Sequence, residues 1–197
     1  MIIMQQIEIE YKILLTQDIF QQILKDYQER IESDYIQIND YFSHPLLTAK
    51  KMMLRIRTKN NHYELTLKRP YHNHRIETNI PLSEEEKDLF YQHQLHNEIT
   101  DILKQEGIAL NELQHLFSLT THRYDIRLPE GILSLDENTY LHQHDFELEF
   151  EVYDEKQGFE QFLKIIEPYH LSYQHNCLSK VVRAFQAYAN SHENENS

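Results

Sequence analysis

Polar and apolar residues alternate from the start of the chain: Gln6, Glu8, Glu10 and Lys12 interleave with Ile7, Ile9, Tyr11 and Ile13. A period of two predicts a strand with one charged face and one apolar face. From Thr16 the period lengthens, and Phe20, Ile23, Leu24, Tyr27 and Ile31 follow the i, i+3, i+4 spacing of a helix buried along one side. Extended patterns return near residues 35–42, 52–59, 62–69 and 74–80, separated by the turn candidates Lys59-Asn60-Asn61 and Tyr71-His72-Asn73. These runs predict consecutive antiparallel strands.

Pro81-Leu82-Ser83-Glu84-Glu85-Glu86 predicts a helix start, with Ser83 capping the first turn, Glu86 reaching back to its amide, and the acidic run facing the positive end of the helix dipole. The helical pattern that follows, continuous or broken, reaches Glu106 and stops at Gly107. Strands are predicted near 119–128, 132–136 and 145–153, with a turn at Pro129-Glu130-Gly131, then helices over 158–167 and 179–189. About eight strands and a few helices predict an α+β fold around a strongly curved or closed antiparallel sheet. Residues 1–190 are expected to form one domain and 191–197 a flexible polar tail.

Composition narrows the function. The chain has 197 residues, 40% of them hydrophobic, which is ample for a core. Its 19 Lys and Arg against 32 Asp and Glu give a net charge of −13, so the average field repels nucleic acid and anionic lipid, and any anionic ligand needs a local pocket. One cysteine, Cys177, excludes an internal disulfide and a thiolate zinc cluster. No run approaches the roughly 18 apolar residues of a membrane span, and the first residues lack the basic region of a signal sequence. The expectation is a cytoplasmic protein with neither nucleic-acid nor membrane partners.

The polar faces of the predicted strands carry the chemistry. In turn they present Glu8, Glu10 and Lys12; Arg55 and Arg57; Glu64, Thr66 and Lys68; Arg75 and Glu77; Thr121, Arg123 and Asp125; Ser134 and Asp136; Glu147, Glu149 and Glu151. An open sheet with a wet polar face is one reading. The other points these faces into a closed barrel, where so many charges must compensate one another, stay hydrated or bind ligands. The carboxylate groups then suit Mg²⁺ or Mn²⁺, and the basic groups suit several phosphates at once. A linear polyphosphate with its metal is the implied ligand.

Glu8-Ile9-Glu10-Tyr11-Lys12 resembles the Glu-x-Glu-x-Lys signature of the CYTH superfamily, the triphosphate tunnel metalloenzymes. Asn39-Asp40-Tyr41-Phe42, Leu54-Arg55-Ile56-Arg57, Leu65-Thr66-Leu67-Lys68, Arg123, Leu135-Asp136, Glu147-Leu148-Glu149-Phe150-Glu151 and Lys180 follow in that family's order. The resemblance implies a closed eight-stranded antiparallel β-barrel, a tunnel with helices packed outside, that holds a small-molecule triphosphate with a divalent metal. It implies phosphate binding by Lys12, Arg55, Arg57, Lys68, Arg123 and Lys180, with Glu77 an acidic position beside the substrate. Glu8, Glu10, Asp136, Glu147 and Glu149 are implied as metal positions, and Glu8, Glu10, Lys12 and Arg123 as the catalytic set. Two positions depart from the pattern: Thr121 stands where many relatives carry Lys, and Asn79 where some carry an acid. The activities implied are hydrolysis of inorganic or organic triphosphate, cyclisation of ATP to cyclic AMP, or polyphosphate binding without turnover. The thirteen histidines show no matching third ligand, and Cys177 has no neighbouring base expected of a catalytic thiol.

Overall fold

The computed structural model describes residues 9–71 and 74–195. Glu8 and the His72-Asn73 part of one expected turn lie outside the described residues. The strands are β1 (Ile9–Leu15), β2 (Ile31–Ser43), β3 (Met53–Lys59), β4 (His62–Tyr71), β5 (His74–Leu82), β6 (Gln114–Leu128), β7 (Gly131–Tyr140) and β8 (Gln143–Val152). The helices are α1 (Gln17–Asp26), α2 (Pro45–Ala49), α3 (Glu84–Tyr91), α4 (Glu98–Gln105), α5 (Glu155–Ile166) and α6 (Lys180–Glu195). All eight strands belong to one sheet, hydrogen-bonded in the order β1-β8-β7-β6-β2-β3-β4-β5. The expected eight-stranded antiparallel architecture with helices is therefore present.

The chain divides into two compact units, residues 1–35 with 121–183 and residues 36–120 with 184–197. In the first, Ile13, Leu133, Leu135, Leu148 and Phe150 of the sheet pack with Phe20 and Ile23 of α1 and Phe162, Ile165 and Ile166 of α5. In the second, Leu54, Ile56, Leu65 and Leu67 pack with Leu47, Phe90, Ile99 and Leu103 from α2, α3 and α4. Most of these side chains are fully buried, and each contributes about 1.5 to 3 kcal/mol of transfer free energy. The period-two alternation is thus real in both units: apolar residues lie under helices, and the intervening charged residues take the opposite face.

Local signals set the boundaries. Thr16 caps α1 by accepting from the Ile19 amide, and Ser83 and Glu86 form the reciprocal capping box that opens α3. Asn60 and Asn61, with φ of 50° and 59°, make the two-residue β3–β4 turn that pairs Lys59 with His62. The helix expected to run from Thr16 to Ile31 stops at Asp26, because Ile31 opens β2. The helical stretch after Ser83 is two helices, α4 having its own cap at Asn97 and ending at Gln105, two residues before Gly107, whose φ is 81°. The last helix continues past Ala189 to Glu195.

β7 also departs from the expected bounds. It runs four residues beyond Asp136 and turns through Leu141 and His142, both in the left-handed region at φ of 43° and 64°. Neither residue is a usual occupant of that region, so the sequence gives no turn signal there. The extension adds Asn138 and Tyr140 to the polar face that already carries Ser134 and Asp136.

Candidate functional site

Strand register assembles the first unit's charged group. Pairing of β7 with β8 sets Asp136 opposite Glu147 and Ser134 opposite Glu149, and pairing of β1 with β8 sets Lys12 opposite Glu149. Asp136 and Glu147 are fully buried, and the Glu149 side chain is 14% exposed. One ligand atom from each of Asp136, Glu147 and Glu149 lies within 4.8 Å of the others.

Cations surround this triangle. Arg123 forks onto Asp136 through Nε and Nη2, each at 2.6 Å, and Nη2 also reaches Glu149 at 2.5 Å. Lys180, the first residue of α6, donates to Asp136 at 2.6 Å, to Glu149 at 2.9 Å and to Glu147. Lys12 lies 2.7 Å from Glu10 and 3.6 Å from Glu149. Burial alone would lower the Lys180 value, but Asp136, Glu149 and Glu147 outweigh it and hold the ammonium well above its ordinary pKa. Burial pushes Glu149 up too, yet Lys180, Arg123 and Lys12 hold its carboxyl well below the carboxylate range. For Glu147 burial prevails and the value is raised.

A second tier, missed in the sequence, supports this group. Arg183 binds both oxygens of Asp145 at 2.8 Å and places Nη2 2.8 Å from Glu147 Oε2. Asn138 and Tyr140 donate to the same Asp145 at 3.1 and 2.6 Å. Thr121, fully buried, donates to Asn138 at 2.7 Å, so the position that departs from the family pattern is the far end of this network. The edge of β1 is occupied as well. The Lys12 amide donates to Asn176 Oδ1, Asn176 Nδ2 donates to the Glu10 carbonyl, and the Cys177 amide donates to the Lys12 carbonyl. Cys177 thus contributes its backbone, and burial pushes its thiol pKa up, away from a reactive thiolate.

The second unit builds a basic row on β3, β4 and β5. Register sets Arg55 opposite Thr66, Thr66 opposite Asn79, Arg57 opposite Asn39 and Glu64, and Lys68 opposite Glu77. Lys68 lies 2.6 Å and Arg55 3.7 Å from Glu77, Arg57 Nε donates to Asn39 at 3.0 Å, and Thr66 donates to Asn79 at 2.8 Å. The Arg55 side chain is only 10% exposed, and among the described residues its Nε is a buried donor with no hydrogen-bond partner. A buried guanidinium with a free donor has hydrogen-bonding capacity that the surrounding protein does not use.

The sequence-identified residues therefore fall into two sets. Glu10, Lys12, Arg123, Asp136, Glu147, Glu149 and Lys180 come together in the first unit, and Arg55, Arg57, Lys68 and Glu77 share one sheet face in the second. The three carboxylates fit a hard divalent cation: they are an all-oxygen donor set, and a cationic ammonium already sits among them.

The chain thus combines an eight-stranded antiparallel sheet with a buried acidic triangle bonded to Lys and Arg. Residues 6–177 match the CYTH domain, and the chain belongs to that family. Over 185 residues it is 34% identical to a Bacillus subtilis protein named "Putative triphosphatase YjbK", covering 92% of this chain and 96% of that one. A solved "putative adenylate cyclase" from Bacillus halodurans is 32% identical, with a TM-score of 0.74 over 91% of this chain and 98% of the other. The fold is shared with HpAC1 from Hippeastrum, a "putative adenylyl cyclase" described as revealing a dominant triphosphatase activity, at 20% identity, TM-score 0.71, and coverage of 94% and 96%. No helix among the described residues is long and apolar enough to cross a membrane.

Proposed function

We propose that the protein is a divalent-metal-dependent hydrolase of a small triphosphate, working with Mg²⁺ or Mn²⁺ in the cytoplasm. The observation that carries this reading is the Asp136, Glu147 and Glu149 triangle with Arg123 and Lys180 bonded to its oxygens. Carboxylates would hold the ion: Asp136, Glu147 and Glu149, with Glu10 of β1 and, as the sequence motif implies, Glu8. The ion's contribution is Lewis-acid neutralisation of phosphoryl oxygens.

This chain's own residues do the rest. Phosphoryl transfer requires alignment and charge neutralisation more than covalent chemistry. Lys12, Arg123 and Lys180, and independently Arg55, Arg57 and Lys68, supply cations for phosphate oxygens, and Arg55 offers the free donor noted above. Glu77 holds Lys68 and Arg55 in place while leaving their remaining donors available. A glutamate of the first set orients the attacking water.

The name of the Bacillus halodurans relative supports a second reading, cyclisation of ATP to cyclic AMP. One experiment separates the two. Inorganic triphosphate, thiamine triphosphate and ATP are incubated with the full chain and Mg²⁺ or Mn²⁺, and products are resolved by thin-layer chromatography. Orthophosphate release that stops with chelator and in the Glu147→Gln/Glu149→Gln variant is expected. Cyclic AMP as the main product, or undiminished release by that variant, overturns the proposal.

A further inference from the structure

We propose that Lys180 is the resident cation of the Asp136, Glu147 and Glu149 triangle in the metal-free protein, and that an arriving divalent ion expels its ammonium, which then becomes free to bind phosphate. The inference rests on the metal site proposed above and adds an order to it: metal first, phosphate second.

The geometry makes ion and ammonium alternatives. Lys180 Nζ spends its three donors on the three carboxylates, at 2.6 Å from Asp136 and 2.9 Å from Glu149 and in contact with Glu147. These are the same oxygens whose mutual separation, within 4.8 Å, suits ligation of one ion. Mg²⁺ requires oxygen contacts of about 2.0 to 2.1 Å, so an ion held by all three would occupy the ammonium's place. Two cations cannot share that volume.

Lys180 is also free to leave without unseating its helix. Arg183, one turn on, is fixed by two bonds to Asp145 and by its donation to the Leu178 carbonyl, independently of Lys180. The lysine head rides on a flexible four-carbon stem at the first position of α6, where a change of rotamer disturbs no helical hydrogen bond. Arg123 approaches the triangle through its own fork on Asp136 and remains behind to offset charge. While bound to three carboxylates the Lys180 ammonium has no donor left for phosphate. After exchange it has three.

Mn²⁺ binding to the full chain, followed by loss of the free-ion paramagnetic resonance signal without any phosphate present, tests this. Lys180→Met should bind Mn²⁺ at least about tenfold more tightly than wild type. Lys12→Met, which removes a neighbouring charge that does not fill the triangle, should tighten binding far less, and Lys180→Arg, which keeps the charge, should not tighten it. In a second arm, affinity for a non-hydrolysable imido analogue of triphosphate should be the same in wild type and Lys180→Met without metal, and weaker in Lys180→Met with saturating Mg²⁺. The Lys180→Arg protein keeps the test available should Lys180→Met fold poorly without metal. Mn²⁺ binding of equal strength in wild type and Lys180→Met, or equal tightening in Lys12→Met, overturns the exchange and leaves the metal site standing. No Mn²⁺ binding in any variant overturns both.

Discussion

Asp136 on β7 and Glu147 on β8 occupy one register position, side by side and with no water contact, and both bond to Lys180. Two like charges this close persist only because cations compensate them, and the compensation is unequal. Asp136 receives the two-bond Arg123 fork as well as Lys180, whereas Glu147 has Lys180 and a single Arg183 nitrogen at 2.8 Å. Burial raises the Glu147 pKa, so a neutral amide at that position gives up less favourable charge interaction. Asp136→Asn is therefore expected to destabilise the metal-free protein by about 3 to 5 kcal/mol, the cost of leaving a buried partner charge uncompensated. Glu147→Gln should cost clearly less. Urea unfolding of the two variants checks this, and equal losses would count against the unequal pairing.

Arg57 sits on the same face as Arg55, held by Asn39 through its Nε. In the triphosphatase reading its guanidinium meets charge that grows during phosphoryl transfer, so Arg57→Ala should cost about 2 to 4 kcal/mol of transition-state stabilisation, roughly 30-fold to 1000-fold in kcat/KM. Its thermal midpoint should move little, since the side chain is partly solvated and takes no part in the apolar cluster. A variant with wild-type kcat/KM would remove Arg57 from the site.

Much of this was legible in the sequence because a strand's period converts residue order directly into faces. Once Leu133, Leu135, Leu148 and Phe150 are assigned to the core, Ser134, Asp136, Glu147 and Glu149 can only share the other side. The Asn60-Asn61 turn and the Ser83 box were readable for the same reason, since their residue types carry the geometry. The Asp145 network was not readable, because the alternation that marks β7 breaks at Glu137, after Asp136. Leu141 and His142 make a tight turn that their side chains do not favour, and tertiary pairing holds it. With the strand cut short, Asn138 and Tyr140 had no face, and Arg183 lay on a helix whose approach to β8 no local pattern encodes.

Glu77 gives a pH signature. Burial pushes its carboxyl up, but Lys68 at 2.6 Å, with Arg55 and Asn79, outweighs that and holds it below the ordinary value. A carboxylate with a lower pKa folded than unfolded adds stability above the unfolded value, about 4.3, and that contribution fades as pH falls through the folded value. Glu77→Gln lacks the contribution. The gap in urea midpoint between wild type and Glu77→Gln should be widest near pH 7 and close progressively below about pH 4. The effect is small because the side chain is 34% exposed and solvent screens the pair. A gap of constant size from pH 3 to 7 would show that shape, not charge, separates the two proteins.

Gly158 fixes the docking of α5 on the sheet. It is buried in the first turns of that helix, and a Cβ there would stand 2.4 Å from Val152 Cβ and 2.5 Å from its Cγ1 at the end of β8. Helix propensity alone favours Ala by about 1 kcal/mol, whereas forcing a methyl into a close-packed contact costs about 1 to 3 kcal/mol or more. Val152 is β-branched and short, so it cannot swing aside, and relief requires α5 to lift from the cluster that contains Phe162, Ile165 and Ile166. Packing should win over propensity. Gly158→Ala is expected to lower the thermal midpoint by about 2 to 8 °C, and Val152→Ala in the same chain, which deletes two of the three crowding atoms, should recover part of the loss relative to each single change. A Gly158→Ala protein as stable as wild type would mean that α5 and β8 can separate at little cost.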